Sequence, residues 1–350
     1  MRIIKPLIAL MLALVLVFSL FGCSPKPEQP PVPETPTTPE TPAVPVEPVK
    51  IQLNEVTHSV FYAPQYAAIE LGYFADEGIE LELINGAGAD KVMTAVLTGA
   101  SQIGLAGPEA SIYVYLEGRS DYCQVFAQLT KRDGSFLVGR EPDPDFTWEK
   151  LRGSFTLGGR KGGMPLMNLE YLLKSKGLVP GTDLTVDTSV QFAAMAGAFV
   201  GGTGDYTTLF EPTASMLERE GKGYVLASIG EDVGEVPYTA YFTSKSFIAE
   251  NPELIAAFTR AIYRGQQWVK DNDAAEIARV IAPQFPDTDL ELLTTVTQRH
   301  KDIDAWYTTP VMPEEAFDRL QDIMETAGEL SERVPYGDLV NNTFAEEVLK

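Results

Sequence analysis

From residue 51 onward short apolar strands alternate with helices, and this alternation constrains the fold more than any other feature of the chain. Ile51 to Val56 reads as a strand. Pro64 to Phe74 reads as a helix, because Ala67, Ala68, Leu71 and Phe74 recur at helical spacing and Gly78 stops it. Ile79 to Ile84 alternates apolar and acidic residues, the pattern of a half-buried strand. Strands at 102–106, 122–129 and 135–138 are interleaved with helices through Val92 to Leu97 and from Ala110 to Leu116. After Pro142 and Pro144 a second alternating unit begins at Trp148. Its strands fall at 155–157, 185–186, 206–209 and 224–228, and its helices at 165–174, 192–198 and 212–220. The remainder reads as helical. Pro252 to Val269 is the clearest case, with Asn251 as its cap and Pro252 in its first turn. Further helices are expected at 274–281, 289–299 and 313–327.

The pattern predicts an α/β protein of two lobes, each a mixed sheet flanked by helices. Lobe I takes 51–140 and 236–350, and lobe II takes 141–235, with crossovers near 138–145 and 230–238. A ligand is expected between the lobes, at strand C-terminal ends where helix N-termini face the cleft.

The first fifty residues stand outside this fold. Arg2 and Lys5 precede an apolar stretch from Pro6 to Phe21, followed by Gly22 and Cys23. This reads as a signal (1–22) ending at a lipidation site on Cys23, a lipoprotein pattern from which bulky Phe21 departs. A retained membrane span is the alternative. Residues 24–50 hold ten prolines with Glu28, Glu34, Glu40 and Glu47 among them. Proline fixes φ and removes donors, so 23–50 reads as a lipid-bearing, extended tether reaching roughly 80 Å. The expected location is the outer face of the cell membrane.

Composition excludes several classes. The net charge of −22 leaves no basic patch for nucleic acid. Cys123 is the one cysteine besides Cys23, so no disulfide forms inside the fold, and its apolar neighbours suggest a buried thiol. Two histidines, His58 and His300, make no zinc site.

The string from Thr57 to Ala68 (Thr-His-Ser-Val-Phe-Tyr-Ala-Pro-Gln-Tyr-Ala-Ala), with Leu71-Gly72-Tyr73-Phe74, Gly99 to Gly104, Phe210-Glu211-Pro212 and Asn251-Pro252-Glu253, resembles a family. That family is the extracytoplasmic solute-binding proteins grouped with sulfonate-binding and thiamine-pyrimidine-precursor proteins (SsuA/THI5-like, NMT1). The resemblance implies a two-lobed periplasmic-binding-protein fold of type II and delivery of a small molecule to the permease of an ABC importer. It implies no cofactor, and the chain is expected to act as a monomer.

The resemblance places the family's pocket elements at 58–62, 88–90, 107–109, 162–164, Glu211 and Tyr238. His58 can donate or accept near neutrality, or be satisfied inside the fold. Phe61 and Tyr62 can stack on a flat ring or pack a helix onto the sheet. Gly88 and Asp90, and Pro108 and Glu109, lead into helices whose N–H groups suit a polar oxygen; a cap is the plain alternative for Asp90. A cleft-facing Glu109 favours a donor-rich or cationic ligand. Gly158 to Pro165 carries Arg160, Lys161, Gly162, Gly163 and Met164, chemically an oxyanion cradle or a tight solvated turn, and not a P-loop. Tyr206 follows a glycine-rich turn. Glu211 can accept from ligand N–H groups or serve its helix start. Tyr238 offers an aromatic wall.

Aromatic and acidic candidates together favour a flat nitrogen heterocycle, such as a pyrimidine or vitamin precursor, bound by lobe closure without covalent chemistry. A small sulfonate-type anion, a surface sensor, and a pyrimidine-synthase-like enzyme are the alternatives. The last lacks a lysine beside His58 and a cysteine-rich metal motif.

Overall fold

The computed structural model describes residues 47–350. The expected signal, Cys23 and most of the expected tether lie outside them. Ten strands form two five-stranded sheets: β1 (Val49–Glu55), β2 (Ile79–Asn85), β3 (Ile103–Ala106), β4 (Cys123–Thr130), β5 (Ser135–Gly139), β6 (Phe155–Leu157), β7 (Thr185–Asp187), β8 (Tyr206–Phe210), β9 (Tyr224–Ser228) and β10 (Thr239–Ser244). Their orders are β2-β1-β3-β10-β4 and β7-β6-β8-β5-β9. In the first sheet β1, β2 and β3 are parallel and β10 runs antiparallel to β3 and β4. In the second β6, β7 and β8 are parallel and β5 runs antiparallel to β8 and β9. Each antiparallel strand is the first one laid down after the chain changes lobes.

Three expected boundaries shift. β5 belongs to the second sheet, so the outward passage lies at residues 131–134, ahead of the 138–145 expected and of a lobe boundary at 140. A run of apolar residues that can sit in either sheet hides this, whereas Arg132-Asp133-Gly134 marks the turn. β1 begins at Val49, so the last two residues read as tether pair in register with Ile79 and Glu80. The helix Glu314–Ala327, inside the span assigned to lobe I, packs on the second lobe's helix Met164–Ser175. The C-terminal part therefore binds both lobes.

The two passages are bound to each other. Val236 N donates to Lys131 O at 2.9 Å and Tyr238 N to Thr130 O at 3.3 Å. The hydroxyls of Thr130 and Thr239 meet at 2.7 Å. Gly230 permits this approach, since a Cβ there would lie 2.1 Å from Asp133 O. Buried residues of both lobes form one core that includes Leu53, Ile103, Phe126, Phe136, Met167 and Leu172. Cys123 is buried within it, and burial pushes its thiol up to about 12.

Helices mostly stand where periodicity puts them. Ala274–Ile281 matches, capped by Asp273 accepting from Glu276 N at 2.9 Å. Leu290–Asp302 is likewise capped by Asp289. The first helix ends at Glu70 and a second turn starts at Tyr73, because Gly72 takes φ 76° between them. Asn251 does not cap its helix by side chain; its Nδ2 donates back to Phe247 O at 3.1 Å and closes the preceding turn. Among the described residues no helix is long and apolar enough to cross a membrane.

The long helix Pro252–Asp271 lies against Ala63–Glu70 at Gly265. A Cβ at Gly265 would fall 2.2 Å from Pro64 O and 3.0 Å from the Ala68 Cβ. Gly265→Ala should therefore destabilise the protein by about 1–3 kcal/mol of overpacking, more than the roughly 1 kcal/mol gained in helix propensity. Urea denaturation measures this; an unchanged or higher midpoint would refute the close approach.

Candidate functional site

The lobes meet where the parallel strands end. β1 runs into Ser59, whose Oγ donates to Glu211 O, at the end of β8, at 2.8 Å. β3 runs into Gly107 and the helix Glu109–Leu116. From that helix the Tyr113 hydroxyl donates to Gly162 O, beyond β6, at 3.1 Å. Four aromatic rings gather at this junction. Phe61 and Tyr62 come from the turn after β1, Phe210 from the end of β8, and Tyr238 from the return passage. The Phe61 ring centroid lies 5.7 Å from Tyr62, 6.0 Å from Phe210 and 5.6 Å from Tyr238, tilted or edge-on. Phe61, Tyr62 and Tyr238 are buried.

Two carboxyl groups are buried at the same junction, and burial pushes both up. Glu109 reaches about 7, held back by its own N–H and by that of Met164, at the start of the second lobe's helix. Asp133 reaches about 6, held back by Ser135 and Asn168. Asp133 Oδ1 accepts from Ser135 N at 2.7 Å and Ser135 Oγ at 2.6 Å, and Oδ2 accepts from Asn168 Nδ2 at 2.9 Å. Glu109 Oε2 and Tyr238 Oη have no partner among the described residues. Burial, with Asp133 and Glu109 nearby, raises the Tyr238 phenol well above its ordinary range, so it stays a neutral O–H.

The sequence-based candidates separate into those gathered here and those held elsewhere. Phe61, Tyr62, Pro108, Glu109, Gly162, Gly163, Met164 and Tyr238 belong to the junction. Gly88 is the residue before the helix Ala89–Leu97, at φ 146°. Asp90, in that helix's first turn, does not cap it. It pairs instead with Arg160 of the second lobe at 3.0 Å. Lys161 lies 4.0 Å from Glu329 and is largely exposed. Both cations of the supposed oxyanion cradle are thus turned to carboxylates at the rim.

His58 is committed to its own lobe. Its Nε2 lies 2.8 Å from Gln284 O, which can only accept, so Nε2 carries a proton. Its Nδ1 lies 2.7 Å from Glu55 Oε1, and this bond raises the imidazole's pKa despite burial. Glu211 is committed as well. Its Oε1 accepts from Arg299 at 3.0 Å and Ser215 Oγ at 2.7 Å, and its Oε2 accepts from Ser215 N at 2.9 Å. The carboxylate therefore ties the second lobe to helix Leu290–Asp302. Tyr206 opens β8 and Phe210 closes it, so Tyr206 stands at the far end, beside Phe146.

Sequence reasoning missed Asp133, Asn168, Phe210, Arg299 and His300. Asp133 had a signal in its turn position; Phe210 had one as the residue before Glu211. His300 had none, because it comes from a helix 240 residues downstream of the first strand's end. It is buried behind Phe61 at 5.4 Å and stacked on Trp306 at 5.9 Å, and burial pushes it down to about 4.

A family model described as NMT1/THI5 like matches residues 60–275. The putative binding protein YtlA of Bacillus subtilis (strain 168) is 43% identical over 299 residues, covering 85% of this chain and 90% of the relative. The riboflavin-binding protein RibY of Chloroflexus aurantiacus is 25% identical over 348 residues, covering 96% and 97%. Among solved structures, the alkanesulfonate-binding protein SsuA from Xanthomonas axonopodis pv. citri, bound to MOPS, superimposes with TM-score 0.68 at 15% identity, over 85% of this chain and 100% of that one. By the family match over most of the lobed chain and by the identity to YtlA, the chain belongs to the NMT1/THI5-like family, built on the two-lobed periplasmic-binding-protein fold.

Proposed function

We propose that the protein is the extracytoplasmic solute-binding component of an ABC-type importer, acting as a monomer and enclosing a flat nitrogen heterocycle between its lobes. The aromatic junction carries this reading: Phe61 and Tyr62 of one lobe and Phe210 of the other converge with Tyr238 of the connecting passage. Rings contributed from both sides can sandwich a planar solute only when the lobes close, so occupancy and closure become one event. The closed form is then what a permease recognises. The name of the Chloroflexus relative supports a heterocycle such as a flavin, pyrimidine or vitamin precursor. The alkanesulfonate-binding neighbour favours an anion instead. The rim pairing of Arg160 and Lys161 speaks against that second reading. Binding of this kind involves no covalent step and no cofactor.

The site does not include the Glu211 carboxylate, whose acceptor positions go to Arg299 and Ser215. His58 and Tyr206 leave the site with it. At the other end of the chain, lipid on Cys23 would hold the receptor at the membrane, and the proline-rich segment would give it reach.

A thermal-shift screen against pyrimidines, flavins, nitrate and alkanesulfonates tests the reading. A heterocycle should stabilise the fold by about 2.7 kcal/mol at a hundredfold excess over its Kd, and the melting temperature should rise with its concentration. Stabilisation by alkanesulfonates alone would sink it. Glu211→Gln should lower the unfolding free energy by about 1–3 kcal/mol by weakening a buried pair. Undiminished stability with loss of heterocycle affinity would return Glu211 to the site. Cys23→Ala should abolish incorporation of labelled fatty acid, and continued labelling would overturn the anchor.

A further inference from the structure

Glu109 and Tyr113 lie one turn apart on the helix Glu109–Leu116, so their side chains leave the same face. Tyr113 reaches Gly162 O at 3.1 Å and Met167 Sδ at 3.8 Å. That face of the first lobe is therefore turned to the start of the helix Met164–Ser175. The Glu109 carboxylate folds back over Gly107, where a Cβ would lie 1.9 Å from Oε2. No larger residue at 107 leaves the carboxylate in this place.

Several buried atoms at or beside the junction lack partners among the described residues, Glu109 Oε2, Asn168 Oδ1 and Tyr238 Oη among them, and of these the Tyr238 hydroxyl faces the Asp133 carboxyl. Asn168 stands one turn beyond Met164, with its Nδ2 given to Asp133. Asn168 Oδ1 can only accept, Glu109 Oε2 accepts when the carboxyl is ionised, above about pH 7, and the phenol can do either. Meanwhile the neighbouring cations are occupied. Arg160 pairs with Asp90, Lys161 faces Glu329, and Arg299 is shared between Glu211 and Glu218. A ligand anion would meet two buried carboxyl groups and no uncommitted cation among these three.

We propose that Glu109 in its ionised form sets the charge class of the solute: its Oε2 receives an N–H or O–H donor from the solute, and its carboxylate turns anionic solutes away. This rests on the solute-binding reading above and narrows it to donor-presenting, non-anionic molecules. Removing the charge at constant shape should then widen the specificity toward anions, because the like-charge repulsion is lost beside the opposing helix start.

Calorimetry on the wild-type protein and on Glu109→Gln, run well above pH 7 so that Glu109 is ionised, tests this with cytosine, orotate and ethanesulfonate as probes. The wild type should bind neither orotate nor ethanesulfonate. Glu109→Gln should gain affinity for at least one anion by tenfold or more, and should lose tenfold or more for cytosine. Glu109→Met removes the charge without adding a donor and should show the same gain for anions. An anion bound by the wild type, or no gain in either variant, overturns the proposal. Failure of cytosine to bind any of the proteins would count against the heterocycle reading, while the anion measurements still decide the role of Glu109.

Discussion

The hydrogen-bonded pair of interlobe passages is the constraint on which the rest of the structure depends. Thr130, Lys131 and Asp133 leave the first sheet side by side with Gly230, Val236 and Thr239 coming back. Because these strands are adjacent, β10 must enter the first sheet beside β4, and β5 must enter the second beside β9. The antiparallel member of each sheet is thus a consequence of the return path. The parallel strands are left to point their C-terminal ends at one another. Everything at the junction, from Phe61 to Met164, is carried there by that geometry.

Charge is distributed over this frame in a consistent way. Arginines and lysines near the junction are drawn outward or sideways by carboxylates: Arg160 by Asp90, Arg219 by Asp289, Arg299 by Glu211 and Glu218. Exposed pairs such as Arg160–Asp90 contribute little to stability, about 0–1 kcal/mol. The Glu211–Arg299 pair differs, since Glu211 is buried and hydrogen-bonded on both oxygens. It is a structural tie between β8 and the first lobe's helix. Glu109, by contrast, is buried with its Oε2 unpaired among the described residues.

Much of the fold was legible in the sequence because its signals are local. Strand alternation, the Gly72 break and the proline at the start of Pro252–Asp271 each follow from a few neighbouring residues. The site was only partly legible. Phe61, Tyr62 and Glu109, which follow strand ends, and Tyr238, which precedes β10, were read as pocket candidates and stand at the lobe junction. His58 and Glu211 follow strand ends too, yet their partners, Gln284 and Arg299, come from helices far along the chain. No local pattern announces that a carboxylate is already satisfied by a residue 88 positions away. Tyr206 stands apart from the junction for a simpler reason: a strand has two ends, and composition does not say which one faces the other lobe.

The same distinction bears on how the protein differs from neighbours that share its fold. At 15% identity the alkanesulfonate-binding structure retains the fold. The chemistry there is set by few groups, since helix N-termini and strand ends are supplied by the architecture whatever the side chains. A glycine at 107 and an acid at 109 suffice to place a carboxylate against the opposing helix start. An unpaired buried acceptor costs about 1–3 kcal/mol, more when charged. On the proposed reading, closing the lobes over Glu109, Asn168 and Tyr238 favours whichever solute supplies the missing donors. Selectivity then arises from the unmet valences of the closed form as much as from the aromatic surfaces that enclose them.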